Sequence, residues 1–166
     1  MRSFLLAAPL LALVSTSVLA QQKEHVLIPD PAPLWHPAPK GIPAPAQIAC
    51  ITGDPGLTGP FIALLKFPPQ YKVPLHYHPE DEDLTVISGT VYFGESDHPG
   101  KGAAQLLKSG AYVWMPAGMR HFGWTTTQTV VVQVRMTGPL KTVYVNPADD
   151  PRKGEEGSVG GEAICK

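Results

Sequence analysis

From Gln47 onward the apolar residues of this chain come in short runs, each broken by turn signals. QIACI is followed by TGDPGLTG, and PFIALLKF by PPQY. VPLHYH, DLTVISGTVYFGE, GAYVWMP, RHFGWTTT, TVVVQVRM and KTVYVN come after them, with a polar connection, SDHPGKGAAQ, in between. Runs rich in Val, Ile, Thr and aromatic residues, bounded by Gly, Pro, Asn and Asp, are strand signals. No run keeps a helical period over three turns. So many short strands in one stretch predict an all-β domain, a sandwich or a small barrel.

The ends read differently. The opening MRSFLLAAPLLALVSTSVLAQQ has a positive Arg2, an apolar core over Phe4–Val14 and a small-residue site at Val18-Leu19-Ala20. That is the pattern of a secretory signal peptide over residues 1–20, and it predicts a periplasmic or secreted protein that starts at Gln21. The apolar run is short for a bilayer, so no membrane association is expected after cleavage. Residues 21–47 carry seven prolines and predict an extended arm that clasps the domain. Trp35, Val26, Leu27 and Ile28 give the arm something to bury, and His25 and His36 read as surface or packing residues. Residues 48–150 form the domain, and 151–166 a polar, glycine-rich flexible tail.

Composition narrows the class. With 166 residues, 43 % hydrophobic and 16 % charged, the chain suits one folded domain. A formal charge of −1 gives no basic footprint, which excludes nucleic acid as an expected partner. The 19 prolines argue against long helices. Two cysteines, Cys50 and Cys165, allow either a disulfide in an oxidising compartment or a buried thiol with a loose terminal one.

The stretch LHYHPEDED carries the candidate chemistry. His76 and His78 stand at i and i+2 of a predicted strand, so both imidazoles project from one face. Pro79 breaks that strand and Glu82 opens the next, sharing a face with Leu84 and Val86 while Asp83 and Thr85 point away. A hairpin here would set Glu82 beside the histidines. Two imidazoles and a carboxylate suit Mn, Fe, Ni, Cu or Zn; the competing reading is a solvated loop. A second stretch, GAYVWMPAGMRHFGW, puts Pro116 and Gly118 in a tight turn that fixes His121 at the head of a strand.

Together these residues resemble the two signature motifs of the cupin superfamily. His76, His78, Glu82 and Gly89 fall on the first motif, with Gln70 in place of its leading glycine. Gly110, Pro116, Gly118 and His121 fall on the second, with Thr125 in place of its asparagine. The closing YVNPADDPR is similar to small exported bacterial cupins. The resemblance covers about Phe61–Met136. It implies a double-stranded β-helix, or jelly roll, with one divalent transition metal held by His76, His78, Glu82 and His121. Asp81 is a fallback ligand if the register shifts by one; His98 and Arg120 read as exposed.

A four-ligand site leaves one or two positions open beside an apolar wall. Phe61, Tyr71, Tyr92, Trp114, Phe122 and Trp124 are candidates for that wall, although alternation points Phe122 and Trp124, like Tyr77, away from the neighbouring histidines. The resemblance implies a metal-dependent oxidoreductase, dioxygenase-like, acting on a small organic molecule. The alternatives are a redox-neutral lyase, decarboxylase or isomerase, and a non-catalytic metal- or carbohydrate-binding module. Dense aromatic residues on an exposed strand face would support the last. Edge strands and an arm that crosses to a neighbour would give a homodimer.

Overall fold

The computed structural model of the chain describes residues 33–95, 104–153 and 162–165. The expected export signal, His25 and His98 lie outside the described residues. Among the described residues, eleven strands follow one another: β1 (His36–Pro37), β2 (Gln47–Thr52), β3 (Gly59–Phe67), β4 (Lys72–Tyr77), β5 (Glu82–Ser88), β6 (Thr90–Glu95), β7 (Ala104–Lys108), β8 (Tyr112–Met115), β9 (His121–Thr125), β10 (Val130–Gly138) and β11 (Val143–Tyr144). They build a six-stranded sheet, ordered β1-β2-β3-β10-β5-β8, and a five-stranded sheet, ordered β11-β4-β9-β6-β7. All these pairings are antiparallel; the strand pattern predicts the all-β architecture, and the two sheets form the jelly roll that the motif resemblance implies.

Period-two alternation sets the core. On β10, Val130, Val132, Val134 and Met136 are buried, while Val131, Gln133, Arg135 and Thr137 lie on the other face. β3 buries Phe61, Ala63, Leu65 and Phe67 in the same way. Each valine so buried contributes about 1.5–3 kcal/mol. β10 is paired on both sides, with β3 and β5, and therefore holds the centre of the larger sheet.

Two elements depart from the sequence reading. DLTVISGTVYFGE looks continuous, yet Gly89, at φ +81°, divides it into β5 and β6. A Cβ there would stand 2.6 Å from the Thr129 carbonyl oxygen, so only glycine makes that turn. β7 begins inside the polar connection and pairs with β6 from Thr90↔Lys108 to Gly94↔Ala104. Its backbone gains a ladder there, which outweighs the weak strand propensity of Ala104 and Gln105.

The ends fasten onto the barrel. Cys50 and Cys165 form a disulfide. Asp54 reinforces it by accepting from the backbone N–H of Ile164 and of Cys165, both at 2.9 Å. In the arm, β1 pairs with β2, Tyr144 Oη donates to the Gly41 carbonyl at 2.9 Å, and Tyr71 Oη donates to the Pro43 carbonyl. The described part of the arm, from residue 33 on, thus engages its own barrel.

Both departures from the motif pattern have local explanations. Gln70 takes φ +57°, the conformation that a glycine there would supply. Thr125 is buried, donates to the Pro68 carbonyl at 2.6 Å and accepts from the Tyr71 N–H at 2.9 Å.

Candidate metal centre

His76 on β4 pairs directly with His121 at the head of β9, so two imidazoles meet across one ladder of the five-stranded sheet. His78 follows the last residue of β4. Glu82 opens β5, which belongs to the other sheet. The connection from His78 to Glu82 therefore crosses between sheets instead of folding as the expected hairpin, and it brings the carboxylate in from the opposite wall. The physical reason is that β4 and β5 each take other partners, β4 pairing with β9 and β11 and β5 with β10 and β8.

The turn ahead of His121 is tied to the same place. Gly118, at φ +80°, donates its N–H to the His78 carbonyl at 2.8 Å, and the Met119 N–H bonds the Pro116 carbonyl at 3.0 Å. Asp81 is exposed and accepts from the Ala117 N–H at 2.8 Å, which makes it a clamp on this turn and removes the fallback ligand. Arg120 is exposed, and Tyr77 lies outside the lining of the central cavity.

All four site residues are buried, with His76, His78, Glu82 and His121 exposing 5, 8, 6 and 6 % of their surface. Each imidazole spends Nδ1 on a backbone carbonyl: His76 on Pro74 at 2.7 Å, His78 on Lys141 at 2.8 Å, His121 on Met119 at 3.0 Å. A carbonyl only accepts, so Nδ1 carries the proton and Nε2 keeps its lone pair. That is how ligating histidines are oriented by their outer partners. The ligating nitrogens of the three histidines lie within 4.8 Å of one another, and the group can hold a metal ion. Glu82 Oε2 lies 3.3 Å from His78 Nε2 and 3.6 Å from His121 Nε2.

The electrostatics fit the same picture. Burial, and then the neighbouring imidazoles, hold His76 well below the ordinary histidine range. The same causes push His121 down to about 4. Burial raises Glu82, partly offset by His78. Glu82 Oε2 has no hydrogen-bond donor, an unusual state for a buried carboxylate oxygen. Neutral imidazole lone pairs around an orphaned carboxylate oxygen make a set of acceptors that lacks a cation, so the residues present fit a divalent metal.

The four groups open onto a cavity of about 90 Å³ in the barrel. Of the expected wall residues, Tyr71, Phe122 and Trp124 border it. The rings of Phe122 and Trp124 stack with each other, and Trp124 with Tyr92, so their packing follows the outward strand face that alternation assigns them. Phe61 is buried in the core without reaching the cavity, Tyr92 stays in the outer stack, and Trp114 is exposed. Phe67, Phe93 and Tyr144 line the cavity and were not anticipated. Phe67 and Phe93 share the inward parity of their strands, which was the available signal. Tyr144 sits on a two-residue strand too short to show a period.

No protein-family model and no curated protein sequence matches the chain. Solved structures do match it. The polyketide cyclase RemF from Streptomyces resistomycificus superposes with a TM-score of 0.62 at 16 % identity, over 80 % of this chain and 91 % of the cyclase. The DMSP lyase DddQ from Ruegeria pomeroyi DSS-3 gives 0.55 at 22 % identity, over 69 % of this chain and 62 % of the lyase. At these identities the likeness is one of fold.

Proposed function

With the cupin fold as the frame, we propose that this chain is an exported, metal-dependent enzyme that acts on a small organic molecule inside the barrel. His76, His78, Glu82 and His121 hold one divalent transition metal. The observation that carries the reading is the orphaned Glu82 Oε2 facing two imidazole lone pairs in a buried pocket. When bound, the metal supplies a Lewis-acidic centre, redox-active if it is Fe, Mn, Cu or Ni, with one or two coordination positions left for substrate.

The chain's own groups do the rest. Three backbone carbonyls fix the imidazoles so that no ligand has to turn on binding. Walls such as Leu65, Phe67, Val73 and Phe93 exclude water and favour a substrate with an apolar body. Tyr71 and Tyr144, the two phenols on the lining, both donate to arm carbonyls, and burial pushes both above the ordinary tyrosine value. They remain protonated and engaged at neutral pH. Among the described residues, the lining has no histidine or carboxylate beyond the ligand set. A cavity with so few free proton carriers supports an oxidoreductase, dioxygenase-like, as the leading reaction class.

The second reading is redox-neutral chemistry. The likeness in fold to a cyclase and a lyase favours it; Tyr144, whose ring lies 5.8 Å from that of His76, is the phenol nearest the site, and to act as an acid its hydroxyl would first have to leave the Gly41 carbonyl. Elemental analysis of the mature protein, beside the His121→Ala variant, tests the site. Stoichiometric metal lost in the variant supports it, and full occupancy in the variant overturns the ligand assignment. Oxygen uptake with a panel of small aromatic and carboxylic substrates then separates the two classes. Turnover without oxygen consumption would establish the second.

A further inference from the structure

The outward face of the six-stranded sheet presents a surface that the cavity chemistry does not use. On edge strand β8, Tyr112 and Trp114 stand at i and i+2 and so share one face, exposing 59 and 55 % of their surface. Exposure of this extent is unusual for two large rings side by side. Trp114 pairs with Asp83 on β5, and Asp83 with Arg135 on β10, so the three form one row across the sheet. Arg135 Nη1 donates to Asp83 Oδ2 at 3.1 Å, and the Tyr112 hydroxyl donates to Asp83 Oδ1. A groove of about 420 Å³ runs past Trp114, Asp83 and Arg135. The row runs on to Ile62 on β3, and β8 to β3 is three strand spacings, about 14 Å.

We propose that this face binds a glycan, a short neutral oligosaccharide laid across β8, β5, β10 and β3. The C–H face of a sugar ring stacks on an exposed indole or phenol, and its hydroxyls both donate and accept. The platform offers both complements: the Tyr112 and Trp114 rings on β8, and beside them a carboxylate and a guanidinium already fixed by each other. A second copy of the chain fits less well, because closing a protein face over Arg135 and Asp83 would strip water from an ion pair without replacing its hydrogen bonds. Nucleic acid fits worse, because Glu80 and Asp81 join Asp83 along the groove and repel phosphate. The surface lies on the opposite face of the sheet from the metal-binding groups and stands independently of the reaction proposed for them.

The test is calorimetric titration of the mature protein with cellohexaose, xylohexaose and chitohexaose, alongside the Trp114→Ala and Tyr112→Ala variants. At least one oligosaccharide binds the wild type, and Trp114→Ala weakens it about tenfold or more, as loss of a central aromatic contact does. Metal content and melting temperature stay at wild-type values in both variants. Failure of all three sugars to bind overturns the proposal, as does binding unchanged in both variants. A wild-type dimer that Trp114→Ala converts to a monomer in light scattering also overturns it, and assigns the face to a second copy.

Discussion

Replacing Glu82 by glutamine is expected to move stability in opposite directions with and without metal. In the metal-free protein the carboxylate is buried and Oε2 has no donor. Its nearest polar neighbours, His78 Nε2 at 3.3 Å and His121 Nε2 at 3.6 Å, present lone pairs, because their Nδ1 atoms hold the protons. One acceptor facing two others is a repulsive set. A buried polar group left unsatisfied costs about 1–3 kcal/mol, and a charged one more. Glutamine keeps the shape and turns one oxygen into an NH₂ that donates to those lone pairs. Glu82→Gln should therefore stabilise the metal-free fold by about 1–3 kcal/mol. At about 2–4 °C per kcal/mol for a chain of this size, the melting temperature in EDTA rises by roughly 2–12 °C.

With metal the sign reverses. A ligand present at a hundred times its dissociation constant stabilises the fold by about 2.7 kcal/mol, and each tenfold loss of affinity removes about 1.4 kcal/mol of that. An uncharged amide in place of the carboxylate weakens binding, so excess manganese or zinc should raise the melting temperature of the wild type far more than that of the variant. Calorimetric melts of both proteins, in EDTA and in excess metal, give the four numbers needed. A variant that melts below the wild type in EDTA would refute the argument from the orphaned oxygen. An equal metal-induced rise in both proteins would remove Glu82 from the ligand set.

Three further outcomes follow from other parts of the fold. Cys165→Ser opens a loop with a sequence separation of 115 and should cost about 4–5 kcal/mol by loss of chain constraint in the unfolded state, read from urea midpoints; a change below about 1 kcal/mol would show that Asp54 alone holds the tail. Gln70→Gly relieves a left-handed backbone worth about 1–2 kcal/mol and returns roughly 0.4–1 kcal/mol of unfolded-state entropy. The net expectation is a gain of up to about 1 kcal/mol, and a loss would mean that the Gln70 side chain contributes to the fold. The metal-free protein should weaken as the pH falls from about 6.5 through about 4, because His121 titrates lower in the folded state and the unfolded chain takes the proton first. The histidine contribution is of the order of 3 kcal/mol. Glu82 acts with the opposite sign: its raised value gives stability that is present at low pH and lost as the pH rises. Denaturant midpoints in EDTA from pH 7 to pH 4 measure the sum, and a steady gain on acidification would show that Glu82 dominates.

The strands and the inward parity of His76, His78, Glu82 and His121 were legible because each depends on local rules. β10 alternates so cleanly that its inner and outer faces can be assigned residue by residue. Glu82 shares the parity of Leu84 and Val86, which points it inward whatever its partners are. What could not be read was pairing. The hairpin expected between His78 and Glu82 is the cheapest connection in sequence, yet the two strands belong to different sheets, and nothing in HYHPEDE encodes which sheet each will join. Phe61, Tyr92 and Trp114 miss the expected aromatic wall for a related reason. Trp114 and Phe61 look alike as large apolar residues in strands, but one lies on the outer face of an edge strand and the other at the centre of the core. The disulfide joins the first barrel strand to the end of the chain, a proximity that only the closed barrel creates.

The arm's contribution to the cavity has a consequence for how such a protein can diversify. Ile42 lines the chamber from an irregular segment that Tyr71 and Tyr144 hold by backbone carbonyls alone. Those two bonds read the path of the arm and are indifferent to its side chains. Position 42 can therefore be exchanged without disturbing the register of any barrel strand, whereas a change at Leu65 or Phe93 disturbs a pleated face. The shape of the cavity can drift through a residue that lies outside every barrel ladder, although it packs against the core. For the same reason, trimming the chain close to Gln47 to make a tidier barrel would remove part of the cavity wall along with the arm.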